Sequence, residues 1–188
     1  MHPLLADFWP LGTILIRWLE RINQEKGRGI PLHFALPIIK MYNLCKEIMY
    51  GSVFIVKEVL SILNDKSAIG YLATIDDGKP RVRPWGFMFE ENGRLYFCTA
   101  STKDVYKQLT TVPYIEYSKT TKDMAWVRVS GEIIFEDDIK IKEKIFEHAP
   151  MLKNLYQSSD NPIFKVFYLE HGKATMNNFS DPQRLVDF

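Results

Sequence analysis

An apolar run passes directly into hydroxyl residues and a lysine in the stretch Leu95-Tyr96-Phe97-Cys98-Thr99-Ala100-Ser101-Thr102-Lys103-Asp104. The aromatic and apolar start predicts a strand that ends near Thr99. Beyond it, Val105, Tyr106 and Leu109 recur at the spacing of one helical face. The stretch therefore predicts a strand that runs straight into a short helix.

The start of this helix has the outline of an anion site. Ser101 is placed as the N-cap, and Asp104, three residues on, is a short version of the capping-box acid. Unpaired N–H groups at a helix start attract phosphate, and Lys103 adds a full positive charge. The alternative is an ordinary capped helix with a solvated lysine.

Explicit turn signals surround this unit. Asp77-Gly78 separates predicted strands at 68–75 and 81–90, and Asn92-Gly93 joins the second of them to the strand at 95–99. Further strands are predicted at 113–118, 124–136, 163–169 and 173–179, and a helix follows Asp137-Asp138. We expect a mainly β domain of six or seven antiparallel strands with short flanking helices, closed as a small barrel that protects its edges.

The strand before the central unit carries a second candidate group. Alternation places Arg81, Arg83, Trp85 and Phe87 on one face. Arginine suits bidentate phosphate binding, and tryptophan offers a face for a planar ring. The alternative is a solvent-facing strand whose arginines cover an aromatic side chain. Trp126 stands in a third segment, where core packing alone would explain it.

Together these segments resemble the pyridoxamine 5′-phosphate oxidase-like family of FMN-binding split barrels. The resemblance covers residues 56–188. It rests on five segments in this order: RVRPWGF (81–87), LYFCTASTKDVYKQL (95–109), VPYIEYS (112–118), WVRVSGE (126–132) and FYLEHGKATMNNF (167–179).

This resemblance implies a split β-barrel that forms a homodimer, with FMN at the interface and residues of both chains around each flavin. Arg83 and the hydroxyl and basic loop would hold the phosphate. The segment 84–86 would lie along the isoalloxazine, and Trp126 would contact the ring from a neighbouring strand. The implied cofactor-binding residues are Arg83, Pro84, Trp85, Gly86, Thr99, Ser101, Thr102, Lys103 and Trp126.

The implied activity is that of an FMN-dependent oxidoreductase acting on a small molecule, with no side chain named as catalytic. Met88 and the Lys103-Asp104 pair replace basic residues of the relatives that oxidise pyridoxamine phosphate, so we expect a different substrate. A deazaflavin in the same cleft is one alternative. The other is a flavin- or haem-binding split-barrel module without turnover.

The composition indicates which classes of binding partner to expect. Lys and Arg number 24 against 23 Asp and Glu, so no net charge favours nucleic acid or a membrane surface. Cys45 and Cys98 are isolated, which fits a reducing cytoplasm. Asp7, Pro10 and Arg17 interrupt the apolar stretch at 4–19, so we do not expect this stretch to span a membrane. No metal site is expected from the spacing of His2, His33, His148 and His171.

Residues 1–55 differ from the remainder of the chain in their pattern of apolar and polar residues. They lack strand alternation, and moderate periodicity suggests helices near 11–25 and 38–50. We expect an N-terminal helical extension over residues 1–55 and a split-barrel domain over residues 56–188.

Overall fold

The computed structural model describes Ile55–Phe188, together with Arg21 and Lys40, which are both helical. The chain divides into two compact units, Met1–Phe54 and Ile55–Phe188. Apart from those two residues, the helices expected near 11–25 and 38–50 lie outside the described part. Among the described helices, none combines the length and hydropathy that a membrane span requires.

The second unit alternates short helices with antiparallel strands. Its elements are α1 (55–64), β1 (Gly70–Asp76), β2 (Lys79–Trp85), β3 (Phe89–Glu91), β4 (Arg94–Ala100), α2 (Asp104–Thr111), β5 (Tyr114–Thr120), β6 (Trp126–Glu136), α3 (Ile139–His148), α4 (Leu152–Tyr156), β7 (Phe164–Leu169), β8 (Lys173–Asn177) and β9 (Arg184–Asp187).

Both predicted hairpin turns are confirmed. Asp77 and Gly78 have φ angles of 51° and 71°, and Asn92 and Gly93 have φ angles of 53° and 79°. Two successive residues with positive φ define the turn whose twist matches that of antiparallel strands. These turns set the pairing of β1 with β2 and of β3 with β4.

The sheet has two halves that share β6. We call β2-β1-β5-β6-β8-β9 the first half and β3-β4-β7-β6 the second half. Residues 126–130 of β6 pair with β8, whereas residues 133–136 pair with β7. This arrangement confirms the expected mainly β class, an antiparallel split barrel with short helices. The described sheet is not closed, however, and β2, β3 and β9 remain edge strands where closure was expected.

The prediction of one strand over 81–90 was wrong, and the described part of the chain contains nine strands where six or seven were expected. The backbone changes partners between β2 and β3: Trp85 pairs with Gly70 of β1, whereas the Met88 N–H donates to the Tyr96 carbonyl on β4 at 3.0 Å. The chain thus leaves the first half and enters the second. The short β9 at the end of the chain was not predicted.

Two apolar clusters fill the space beside the sheet. β4 contributes to both because alternate side chains face opposite sides: Phe97 belongs to the first cluster and Tyr96 to the second. Helix α1 closes the first cluster with Val59, Ile62 and Leu63. The last turn of α1 is bound by Lys119, a buried lysine of β5 whose Nζ donates to the Leu63 carbonyl at 2.8 Å.

We expect Gly172→Ala to lower the free energy of unfolding by about 1–3 kcal/mol. A Cβ at Gly172 would overlap the Leu169 side chain and approach the Ser130 carbonyl to 2.8 Å. Urea unfolding compares this variant with Lys173→Ala, a truncation of the exposed neighbour. Equal unfolding midpoints for the two variants would contradict tight packing at this crossing.

Candidate functional site

Arg83 is held by two neutral acceptors. Its Nη1 donates to Thr74 Oγ1 at 2.6 Å, and its Nη2 donates to Gln108 Oε1 at 2.9 Å. The Thr74 hydroxyl in turn donates to Gln108 Oε1 at 2.7 Å. Both acceptors are buried. Strands β1 and β2 and helix α2 therefore fix the direction of this guanidinium.

The positive charge of Arg83 has no opposite charge paired with it in the described part of the chain. Among the described residues, no carboxylate forms an ion pair with it. Burial lowers the pKa of Arg83 below its ordinary value, and the charge of Arg81 lowers it further, while Asp76 acts in the opposite sense. A bound anion would act against this lowering, because a nearby opposite charge favours the charged form of the guanidinium.

Trp85 shares one face of β2 with Arg83 and lies near Lys103. Register pairs Arg83 with Leu72 and Trp85 with Gly70, so both side chains project from the face that carries the core of the first half. Lys103 Nζ lies 5.6 Å from the centroid of the Trp85 ring, within the range of a cation–π contact. We call Arg83, Trp85 and Lys103 the β2–α2 group.

The structure corrects the predicted cap of the helix. Lys103, not Ser101, occupies the N-cap position, and no side chain caps α2. The Ser101 N–H donates to the Ile163 carbonyl at 2.9 Å, and the Lys103 N–H donates to the Ala100 carbonyl at 3.0 Å. Ser101 is thus tied to the segment before β7 and lies two residues too early to cap. These two N–H groups already have carbonyl acceptors, so neither is available to a phosphate.

Thr99 presents a buried hydroxyl at the end of β4. The residue is 1% exposed, and its Oγ1 has no hydrogen-bond partner in the described part of the chain. A buried polar atom without a partner is costly, and it marks a place where a ligand or water completes the structure. Ser101 and Thr102 follow on the same connection, where Ser101 is half-buried and Thr102 exposed.

Trp126 lies apart from the β2–α2 group within one chain. β1 and β5 separate its strand from β2. The next residue, Val127, is fully buried, so Trp126 projects from the opposite, outer face of the first half. There it packs edge-on against Phe179, with ring centroids 5.5 Å apart.

The other chemical groups near the site are inert by their surroundings. Cys98 is a free, buried thiol, and burial raises its pKa to about 12. Arg81 pairs with Asp76 at 3.0 Å beside the hairpin turn, so it does not join the β2–α2 group. Within 55–188, no group of three His, Cys, Asp or Glu residues is arranged to hold a metal ion.

Two residues that orient Arg83 were missed from the sequence. Gln108 falls on the buried face of α2 beside Val105 and Leu109. Thr74 shares the buried face of β1 with Leu72. A polar residue on the predicted apolar face of each element was the available signal, because such a group needs a partner inside the protein.

Comparison with known proteins agrees with the fold. The family model described as pyridoxamine 5′-phosphate oxidase matches residues 55–176. Among curated proteins, none matches the chain. A NimC/NimA family protein from Clostridium acetobutylicum is 34% identical, with a TM-score of 0.64, over 74% of this chain and 94% of that one.

Two further solved structures share the fold at lower identity. General stress protein 26 from Bacillus anthracis is 20% identical, with a TM-score of 0.60, over 70% of this chain and 97% of that one. A heme binding protein from Mycobacterium smegmatis is 13% identical, with a TM-score of 0.57, over 69% of this chain and 57% of that one.

We expect Cys98 to resist alkylation in the native protein. A thiol with a pKa near 12 is almost wholly protonated at pH 8, and the thiolate is the reactive form. In a Cys45→Ser variant, iodoacetamide at pH 8 should label no thiol until urea unfolds the chain, when mass spectrometry should show one. Rapid labelling before unfolding would show that Cys98 is accessible and reactive.

Proposed function

The chain belongs to the pyridoxamine 5′-phosphate oxidase family, and on that basis we propose that it binds FMN as an oxidoreductase of small molecules. The observation that carries the proposal is the pair of cations, Arg83 and Lys103, beside Trp85 without a described carboxylate partner. Phosphate joined to a planar ring system complements such a group.

The phosphate would be held by side chains more than by the helix start. Arg83 offers a directed guanidinium, Lys103 an exposed charge, and Thr99 a hydroxyl without a partner among the described residues. Ser101 and Thr102 would add hydroxyls from the same connection. Asp104 lies in the first turn of α2 and is exposed. Its negative charge partly offsets the positive end of the helix dipole, and this weakens the attraction of the helix start for a phosphate.

The flavin ring would lie along Pro84, Trp85 and Gly86. Gly86 is exposed and lacks a side chain, so a ring can approach its backbone. When bound, FMN supplies the electron or hydride transfer chemistry. The role of the chain's own residues is to bind the phosphate, orient the ring and limit access of water.

We also propose that the protein acts as a homodimer. The outer face of the first half exposes Tyr71, Val82 and Leu185, with relative exposures of 47%, 65% and 56%. Tyr71 and Val82 lie on the neighbouring strands β1 and β2, and exposed apolar side chains grouped in this way are typical of an interaction site. Trp126 projects from the same face, so this residue would reach a flavin bound by the second copy.

The alternative is a carrier of flavin or haem without turnover. The similar protein from Mycobacterium smegmatis is named for heme binding, but at 13% identity it supports the fold alone. The described histidines do not favour haem at the β2–α2 group: His148 stacks on Phe89 and His171 has a φ of 57° in a turn. Two cations beside an aromatic ring favour a phosphorylated flavin or deazaflavin.

We expect Arg83→Ala combined with Lys103→Ala to weaken FMN binding by about 100-fold or more, because each removes a charge-assisted contact. Lys79→Ala, which removes an exposed lysine from the same strand, should leave the affinity within about twofold. Flavin fluorescence titration of the apoprotein measures both. Equal affinities for the two variants would place the phosphate elsewhere.

We expect the purified protein to be yellow and a reduced nicotinamide to bleach its flavin absorbance in the absence of oxygen. Bleaching that reverses on admission of a small oxidised acceptor supports the oxidoreductase. A flavin-bound protein that no nicotinamide bleaches would favour the carrier. A colourless protein that takes up no added FMN would overturn both.

A further inference from the structure

Tyr117 reaches across one strand to contact the next. Its residue on β5 pairs with Leu72 of β1, and the side chain passes over Gly70 so that its hydroxyl donates to the Trp85 carbonyl of β2 at 3.3 Å. A Cβ at Gly70 would overlap this hydroxyl and its ring. The absence of a side chain at position 70 therefore opens the path.

The hydroxyl meets the backbone at an irregular point. Residues 86–88 belong to no strand, because the chain there leaves β1 and joins β4. Burial is the main effect that raises the pKa of Tyr117 to about 12, and a backbone hydrogen bond from Phe87 opposes it. The phenol is thus protonated at neutral pH and able to donate to Trp85.

We propose that Tyr117 is a positioning residue that fixes the Trp85–Phe87 backbone, and through it the surface on which a planar ligand ring rests. The inference depends on the proposed flavin site for the identity of the ring, whereas the contact itself does not. Tyr117 is fully buried, so it acts through the backbone of Trp85 and touches no ligand.

The ring and the hydroxyl of Tyr117 have separable roles. The ring packs in the first cluster, with its centroid 5.2 Å from that of Phe97. Tyr117→Phe keeps this packing and removes the hydroxyl. The carbonyl of Trp85 then loses the tyrosine donor, and the backbone next to residues 86–88 loses one contact with β5. Tyr156→Phe is a matched control because Tyr156 is a buried tyrosine of the second cluster.

The first measurement is amide hydrogen exchange in the protein without flavin. We expect Tyr117→Phe to accelerate exchange at Gly86 and Phe87 by about fivefold, the size of one net hydrogen bond. The Met88 amide, bonded to the Tyr96 carbonyl, should be much less affected. Unchanged exchange at Gly86 and Phe87 would overturn the proposal, whether or not the protein binds FMN.

The second measurement compares FMN with riboflavin, which lacks the phosphate. Tyr117→Phe should weaken both by about the same factor, near fivefold, whereas Lys103→Ala should weaken FMN and spare riboflavin. Weakening of FMN alone by Tyr117→Phe would overturn the positioning role at the ring. Failure of the unaltered protein to bind either ligand would contradict the proposed function, and the exchange result would still decide the contact.

Discussion

Strand β6 must satisfy two different sets of neighbours along one continuous backbone. It pairs with β5 throughout most of its length, with β8 at its start and with β7 at its end. Where the partner changes, Gly131 and Gly172 come so close that a Cβ at Gly131 would lie 3.1 Å from the Gly172 Cα. The split between the two halves, and hence the two apolar clusters, depends on this exchange of partners.

The same division explains where the candidate site lies. The chain crosses from the first half to the second after Trp85. Its backbone is irregular there because residues 86–88 belong to no strand of either half. Helix α2 packs against β1 and β4 and supplies Gln108 to Arg83. Neutral acceptors orient this guanidinium without cancelling its charge, whereas a buried carboxylate would have held it as an ion pair. Orientation and residual charge together are the properties that the proposed anion site requires.

Local features were readable from the sequence, and features that depend on distant strands were not. The pairs Asp77-Gly78 and Asn92-Gly93 predict their turns because the backbone conformation is decided within two residues. Alternation along 81–87 correctly places Arg83 with Trp85. The N-cap was misplaced because the Ser101 amide is bound by Ile163, 62 positions along the chain.

The passage of Tyr117 over Gly70 was beyond sequence reasoning for a similar reason. An isolated glycine in a strand indicates that another part of the protein approaches its backbone closely. Here the approaching side chain belongs to β5, which lies more than 40 residues after Gly70 in the sequence. Alternation also placed Trp126 opposite Val127, yet the number of strands between Trp126 and Trp85 follows only from the order of the sheet.

The opposite orientations of Trp85 and Trp126 carry a thermodynamic consequence. Within one chain a single planar ligand cannot touch both rings, since the sheet itself lies between them. A ligand that contacts both would bridge two chains, so its binding and the association of the chains would be linked equilibria. Dilution would then release the ligand, and saturation with the ligand would tighten association by the same free energy.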